Sequence, residues 1–446
     1  MAKRSSKHQT ASAQAAAAGV GELLRQASSV LASDPSRAEA LARKALASDP
    51  GGIEARSLLG AALRRKGDPK AALAVLSRLA AAKSCPWIVH FELAQAQLAL
   101  GHSRAAVAPL RKVVALNPDW TQAWRLLGDI LMAGGDFAGA REAYDRRVLS
   151  MIRDPALRTA AEAMIEGRHS EAERDLRTLL AAKPSSPAAA EHLLADSLRR
   201  MNQLSKAESV LRGCLSKAPE FYNARVCLTQ VLFAQHRFVD AATELDRLLA
   251  RDANDTRCQM MRATVAASIG RHDDVLALTA TVVEAFPDQP RARLVHANAL
   301  RTLGRMTEAL AAYLKVLELD PDFAEAYWSL ANLKTYRFST NQRAAIERLL
   351  ARRSMPAKDG AELNFALATS LEDEGDYAEA FERYSRGNAV ERKRRAYDRD
   401  AVSQVFRNTK AVFTADLFKL RSGWGDVDPD PIFIVGLPRS GSTLVE

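Results

Sequence analysis

The chain has 446 residues, 48% of them hydrophobic and only 6% aromatic, with abundant alanine, a balance that suits closely packed helices more than sandwiches or barrels. Its formal net charge of +10 is concentrated at residues 1–18 and 385–421, which leaves too little elsewhere for a chain-long nucleic-acid stripe. No apolar run is long enough to span a membrane, and Cys85, Cys214, Cys227 and Cys258 are too scattered for a metal knuckle or a redox pair, so no metal is expected. In chain order, residues 1–18 are basic but lack an apolar signal core, and they read as a disordered tail, with a transit peptide as the alternative. A cytoplasmic location is expected.

A fixed period follows over residues 19–394. Gly67, Gly101 and Gly135 are 34 residues apart, as are Gly270 and Gly304, and Pro287 and Pro321. Pro50 and Pro118, and Pro219 and Pro287, are separated by two periods. Two amphipathic segments of about a dozen residues meet at each glycine, and proline closes the second: helix, turn, helix. The pattern resembles the tetratricopeptide repeat, best at residues 121–154 with Trp124, Leu127, Gly128, Leu131, Ala140 and Tyr144. Residues 290–323 carry Ala297, Leu300, Gly304, Ala309, Tyr313 and Pro321. Repeats are placed at 53–86, 87–120, 121–154, 153–186, 188–221, 222–255, 256–289 and 290–323, after a degenerate one at 19–52. The overlap near Arg153 predicts a shortened turn. The fold expected is an all-α solenoid. Its inner surface would hold a protein or peptide, lined from first helices by residues such as Arg56, His90, Arg225, Gln259, Arg293 and Asn298.

Residues 324–360 begin as another first helix, AEAYWSLANLKTYRFS, but the usual second half is replaced. Residues 361–394, with Ala368, Leu371, Gly375, Ala380 and Tyr384, read as a late repeat. Residues 395–430 are expected to be a helical linker, and over 389–420 a basic helix carrying Arg392, Lys393, Arg394 and Arg395 is expected to be followed by an amphipathic one.

Residues 431–446 read PIFIVGLPRSGSTLVE. Ile432–Val435 is a short β-branched and aromatic run that fits a buried strand. Gly436–Gly441 turns the chain, and Ser442 begins a helix. Strand, glycine loop and helix N-terminus together form an anion cradle. A Walker A loop would have lysine where Ser442 stands, and here the cation is Arg439. The hexapeptide Pro438, Arg439, Ser440, Gly441, Ser442, Thr443 instead resembles the 5′-phosphosulfate loop of sulfotransferases, P-[KR]-S-G-[ST]-[ST]. The AYWSLANLKTYRFS string, Ser385–Asn388 and Ser422–Asp426 likewise resemble bacterial proteins that join tetratricopeptide repeats to a sulfotransferase domain. The resemblance implies that these six residues bind 3′-phosphoadenosine 5′-phosphosulfate and that a sulfuryl group passes to a hydroxyl acceptor without a metal. Residues 431–446 would then be the first strand, loop and helix start of an α/β sulfotransferase domain. Its catalytic residues are not identifiable and would lie beyond Glu446, so the 446-residue chain alone is expected to be inactive. The alternative reading is a non-catalytic protein-interaction scaffold.

Overall fold

The recurrent glycines make a turn that a side chain would resist. The computed structural model describes residues 18–82, 85–352, 355–394 and 397–424. Gly67, Gly101, Gly135, Gly270 and Gly304 all have φ between +73° and +95°, the left-handed region that only glycine enters without strain. Each turn is locked by the next N–H donating back to the helix: Asp68 to Leu63 O, Asp136 to Leu131 O and Arg305 to Leu300 O, each at 2.9 Å. Besides the degenerate first one, two repeats lack the glycine. Asn202 (φ 59°) and His236 (φ 60°) take its place, and the same bond forms from Gln203 to Leu198 O and from Arg237 to Leu232 O.

The elements are hairpins throughout, and no strand occurs among the described residues. Helix α1 (residues 18–30) pairs with α2 (Pro35–Ser48), α3 (Ile53–Arg65) with α4 (Pro69–Ala80), and α5 (Trp87–Ala99) with α6 (Ser103–Leu116). Next come α7 (Thr121–Gly134) with α8 (Phe137–Met151), α9 (Pro155–Ile165) with α10 (His169–Ala181), and α11 (Pro187–Arg200) with α12 (Leu204–Lys217). Then follow α13 (Tyr222–Ala234) with α14 (Phe238–Leu249), α15 (Thr256–Ser268) with α16 (His272–Ala285), and α17 (Pro290–Thr302) with α18 (Met306–Leu319). Proline or an aspartate cap starts many of them: Asp68 accepts from Ala71 N, Asp136 from Gly139 N and Asp255 from Cys258 N. The turn predicted to be short is so, with only Ile152, Arg153 and Asp154 between α8 and α9.

Alanine is abundant because helices cross closely. Ala72, Ala106, Ala140, Ala207, Ala241 and Ala309 recur at one place in the second helices and are fully buried. Opposite them the first helix is small too. A Cβ on Gly60 would lie 2.5 Å from Leu76 Cγ, and one on Gly128 would lie 2.6 Å from the Tyr144 ring. The large side chain at that place, Leu76, Leu110, Tyr144 or Leu211, fills what the small ones leave. Each such burial contributes about 1.5–3 kcal/mol.

After α18 the pattern breaks where the sequence breaks. α19 (Ala324–Ala331) is short, and α20 (Thr340–Leu350) starts at a reciprocal cap between Ser339 and Gln342. Ile346 and Leu349 of α20 share a core with Tyr327 and with Leu363 and Leu367 of α21 (Ala357–Asp373). The basic run ends α22 (Tyr377–Arg394) rather than forming a helix of its own, with Arg392, Lys393 and Arg394 in its last turn, where the helix dipole favours cations. α23 (Arg399–Val412) and α24 (Ala415–Leu420) bury none of their residues.

The array also closes on itself. Phe91, Leu127 and Ile130 of α5 and α7 share one core with Met260, Val282 and Phe286 of the α15–α16 hairpin and the loop after it. From that loop the Asp288 carboxylate accepts from the Ser103 hydroxyl and from Arg104 N at 3.0 Å. It thus caps α6 from 184 residues away, a negative charge at a helix N-terminus. Gln289 donates to Ser103 Oγ at 2.8 Å, Arg104 donates to Leu319 O at 3.0 Å, and Arg125 on α7 meets Asp252 at 3.0 Å. The fit is close: a Cβ on Gly101 would lie 2.8 Å from Pro287 Cγ, and one on Gly135 would lie 2.6 Å from Arg291 Cγ.

Candidate functional site

The inner face holds an open cavity of about 530 Å³, within the range of ligand pockets. Its walls come from α8 and from the first helices α7, α9, α11, α13 and α15. Period 3.6 sets which residues face it: His192, Asp196, Arg199 and Arg200 along α11, and Asn223, Val226, Gln230 and Phe233 along α13. The first helices line the inner surface as predicted, but through a different stripe than the sequence suggested.

The predicted lining residues Arg56, Arg225, Gln259 and Arg293 sit one step away from that stripe. Each donates to the carbonyl six residues back, at Pro50, Pro219, Ala253 and Pro287. Trp124 does the same to Pro118 O at 2.8 Å, and Tyr327 to Pro321 O at 3.0 Å. They are clamps on the inter-repeat loops, and the clamp at Ala253 shows that the carbonyl, not the proline ring, is what they need. His90 is buried. Asn298 does lie on the inner stripe, where its Oδ1 accepts from the Tyr313 hydroxyl at 2.7 Å. Asp129 and Tyr144 repeat that tie at 2.8 Å.

The charges of the cavity are unevenly matched. Arg200 grips both oxygens of Asp145 at 2.8 Å and one of Asp196 at 2.9 Å, and Arg199 takes the other Asp196 oxygen at 2.6 Å. Burial alone would raise Asp196, but these two guanidiniums outweigh it and hold the carboxyl down to about 2. Burial pushes His192 down to about 4, so its imidazole is neutral at pH 7. Asp145 and Asp196 are the only acids among the lining residues, and both are taken. Arg257 lies over the Tyr144 ring, 4.4 Å from its centroid, a cation–π contact. Among the described residues it has no carboxylate within ion-pair distance, and neither does Arg141. The signal for this site was present in sequence as Asp196-x-x-Arg199-Arg200, spaced to share one helix face, but which face turns inward is decided by the superhelix.

The cysteines behave as small apolar residues. Burial pushes the thiols of Cys214, Cys227 and Cys258 up to about 11, 12 and 12. Among the described residues no group of His, Cys, Asp and Glu is placed to hold a metal ion, and no helix is long and apolar enough to cross a membrane. Pro438, Arg439, Ser440, Gly441, Ser442 and Thr443 lie outside the described residues.

Stacked two-helix hairpins with a concave binding face define a helical-repeat solenoid. Family models described as tetratricopeptide repeat match residues 91–155 and residues 30–84 and 198–265, and one described as TPR repeat matches 297–334. The chain belongs to the tetratricopeptide-repeat proteins. An uncharacterized protein of Aquifex aeolicus (strain VF5) is 32% identical over 114 residues, covering 26% of this chain and 15% of that protein. A TPR repeat-containing protein of Pseudomonas aeruginosa is 34% identical over 59 residues, covering 13% of this chain and 56% of that protein. This chain thus spans less than two thirds of the length of either relative. Among solved structures, a tetratricopeptide repeat protein from Parabacteroides merdae is 17% identical, with a TM-score of 0.36, covering 55% of this chain and 98% of that one. The C-terminal part of a TPR repeat-containing protein from Cytophaga hutchinsonii is 16% identical, with a TM-score of 0.44 and the same coverage.

Proposed function

We infer that the solenoid is a protein-interaction scaffold that holds an extended segment of a partner on its inner face. The observation that carries this reading is the cavity itself. It is concave, walled by apolar side chains and furnished with unused hydrogen-bonding groups at Asn223, Gln230 and Arg257. Rigid repeats hold these groups in place, so little ordering cost falls on the receptor. Peptides selected from a random heptapeptide library should slow amide exchange in α11, α13 and α15 and leave the outer helices α10, α12 and α14 unchanged. Protection of outer helices alone would sink the reading.

A second reading, catalytic, rests on the hexapeptide Pro438–Thr443. It is a sulfotransferase in which the repeats present a hydroxyl-bearing acceptor and this loop holds the 5′-phosphosulfate of 3′-phosphoadenosine 5′-phosphosulfate. Arg439 is the fork suited to two donor oxygens, where the backbone N–H groups offer geometry but little net charge. In a protein that turns over the donor, Arg439→Ala should weaken donor binding about tenfold to a few hundredfold. Arg439→Lys should recover part of the loss, and neither should shift the melting of the repeats. Equal donor affinity in all three would reduce the hexapeptide to a turn.

A further inference from the structure

We propose that the inner cavity is an acid-anchoring site: it takes an aspartate or glutamate side chain from an apolar stretch of the partner, with Arg257 as its counter-charge. This deepens the scaffold reading and rests on it. Lining cations outnumber lining acids, with Arg141, Arg199, Arg200 and Arg257 against Asp145 and Asp196. The two acids are spent on Arg199 and Arg200. Arg257 is half-buried and lies over the Tyr144 ring, and Tyr144 is itself fixed by its bond to Asp129. Among the described residues the Arg257 guanidinium has this ring contact and no carboxylate partner, which leaves its N–H groups to a planar acceptor. A carboxylate matches that fork with two parallel bonds.

The surroundings select what carries the carboxylate. Phe137, Met164, Leu193, Phe233 and Met261 stand around the cavity, and methionine and phenylalanine walls accept apolar groups of varied shape. A strongly hydrated small anion would gain nothing from them. Neutral His192 adds no competing charge. Asn223, Gln230 and Thr264 offer donors and acceptors that a peptide backbone can use. Charge complementarity therefore favours an acidic residue with apolar neighbours over a basic or wholly apolar segment.

The test uses the full chain as panning target for a random heptapeptide phage library. Selected sequences should be enriched in Asp or Glu flanked by apolar residues. A selected peptide and its Glu-to-Gln or Asp-to-Asn counterpart are then titrated calorimetrically into wild type, Arg257→Met and Arg257→Lys. Wild type should prefer the acidic form by about tenfold or more. Arg257→Met should lose that preference with unchanged helical circular dichroism. Arg257→Lys, which keeps the charge and is the fallback if the methionine variant unfolds, should retain only part of it. Acidic preference undiminished in the Arg257 variants would overturn the assignment. Enrichment of peptides without acids that still protect α11, α13 and α15 would remove the anchor and leave the scaffold standing. Enrichment of nothing would remove both.

Discussion

His236 holds a left-handed turn that most repeats of the array assign to glycine. An L-residue there costs roughly 1–2 kcal/mol, offset in part by the greater entropy glycine loses on folding. The ring is exposed and meets only the edge of Phe238. His236→Gly should therefore stabilise the protein by about 0.5–1 kcal/mol, whereas Asn202→Gly should gain less, because asparagine tolerates this backbone. Urea midpoints of the two variants would show the order, and a loss with His236→Gly would contradict the strain argument. Asp129 is a different kind of compromise. Burial pushes its carboxyl up to about 6, against the pull of the Tyr144 hydroxyl and of Arg125. From about pH 4 to pH 6 the unfolded chain gives up a proton that the folded one keeps. Stability accordingly falls across that window by about 2–3 kcal/mol and stays down above it. Asn298 shows the remedy, since it accepts the equivalent tyrosine bond without ionising. Asp129→Asn should gain about 1–3 kcal/mol at pH 8 and nothing below pH 4, and equal gains at both would mean that the carboxylate is not the cause.

The two-helix element was legible in the sequence because its rules are local. A glycine with positive φ, an aspartate cap and a buried alanine each act within one repeat, so the 34-residue period exposes them. The loop clamps were visible as residues and misread as lining, because Arg225 and Gln259 look like surface polar groups until the carbonyl six residues back is seen beside them. Of the cavity only the Asp196-x-x-Arg199-Arg200 spacing was legible, not the face it turns inward. Its charges are brought together by helices α8, α11 and α15, and the rotation between successive repeats sums small packing differences that no single repeat reveals. The break after α18 is intermediate: the sequence shows that the usual second helix is replaced there, and the structure shows Ile346 and Leu349 of α20 packing into the core shared with α19 and α21. Helix α20 depends on its start. Ser339 caps it by accepting from Gln342 N and Gln342 answers at Ser339 N. Ser339→Ala should cost about 1 kcal/mol and should raise amide exchange over residues 340–350 without affecting α17 and α18. Exchange unchanged in α20 would mean that Ile346 and Leu349 hold it without the cap.

At the scale of the molecule, the seam decides the shape of the inner face. Asp288 is its polar centre, since one carboxylate serves both the Ser103 hydroxyl and the Arg104 amide. Asp288→Ala leaves every hairpin intact but removes two charge-assisted contacts, together about 2–4 kcal/mol. Small-angle scattering should show a larger radius of gyration with helical content preserved, and an unchanged radius would mean that the apolar contacts of Phe286 and Val282 close the ring alone. In an open array each hairpin answers only to its neighbours, and one can be removed or duplicated with roughly additive effect. Here the loop carrying Asp288 must arrive opposite Ser103 after a definite sum of rises and rotations. Excising residues 188–221 would leave a chain in which every local interface could re-form, yet Asp288 would meet the wrong part of the turn. The closed seam thus makes the number of hairpins between α6 and α16 a quantity that the fold measures, as a washer fixes its circumference where a spring does not.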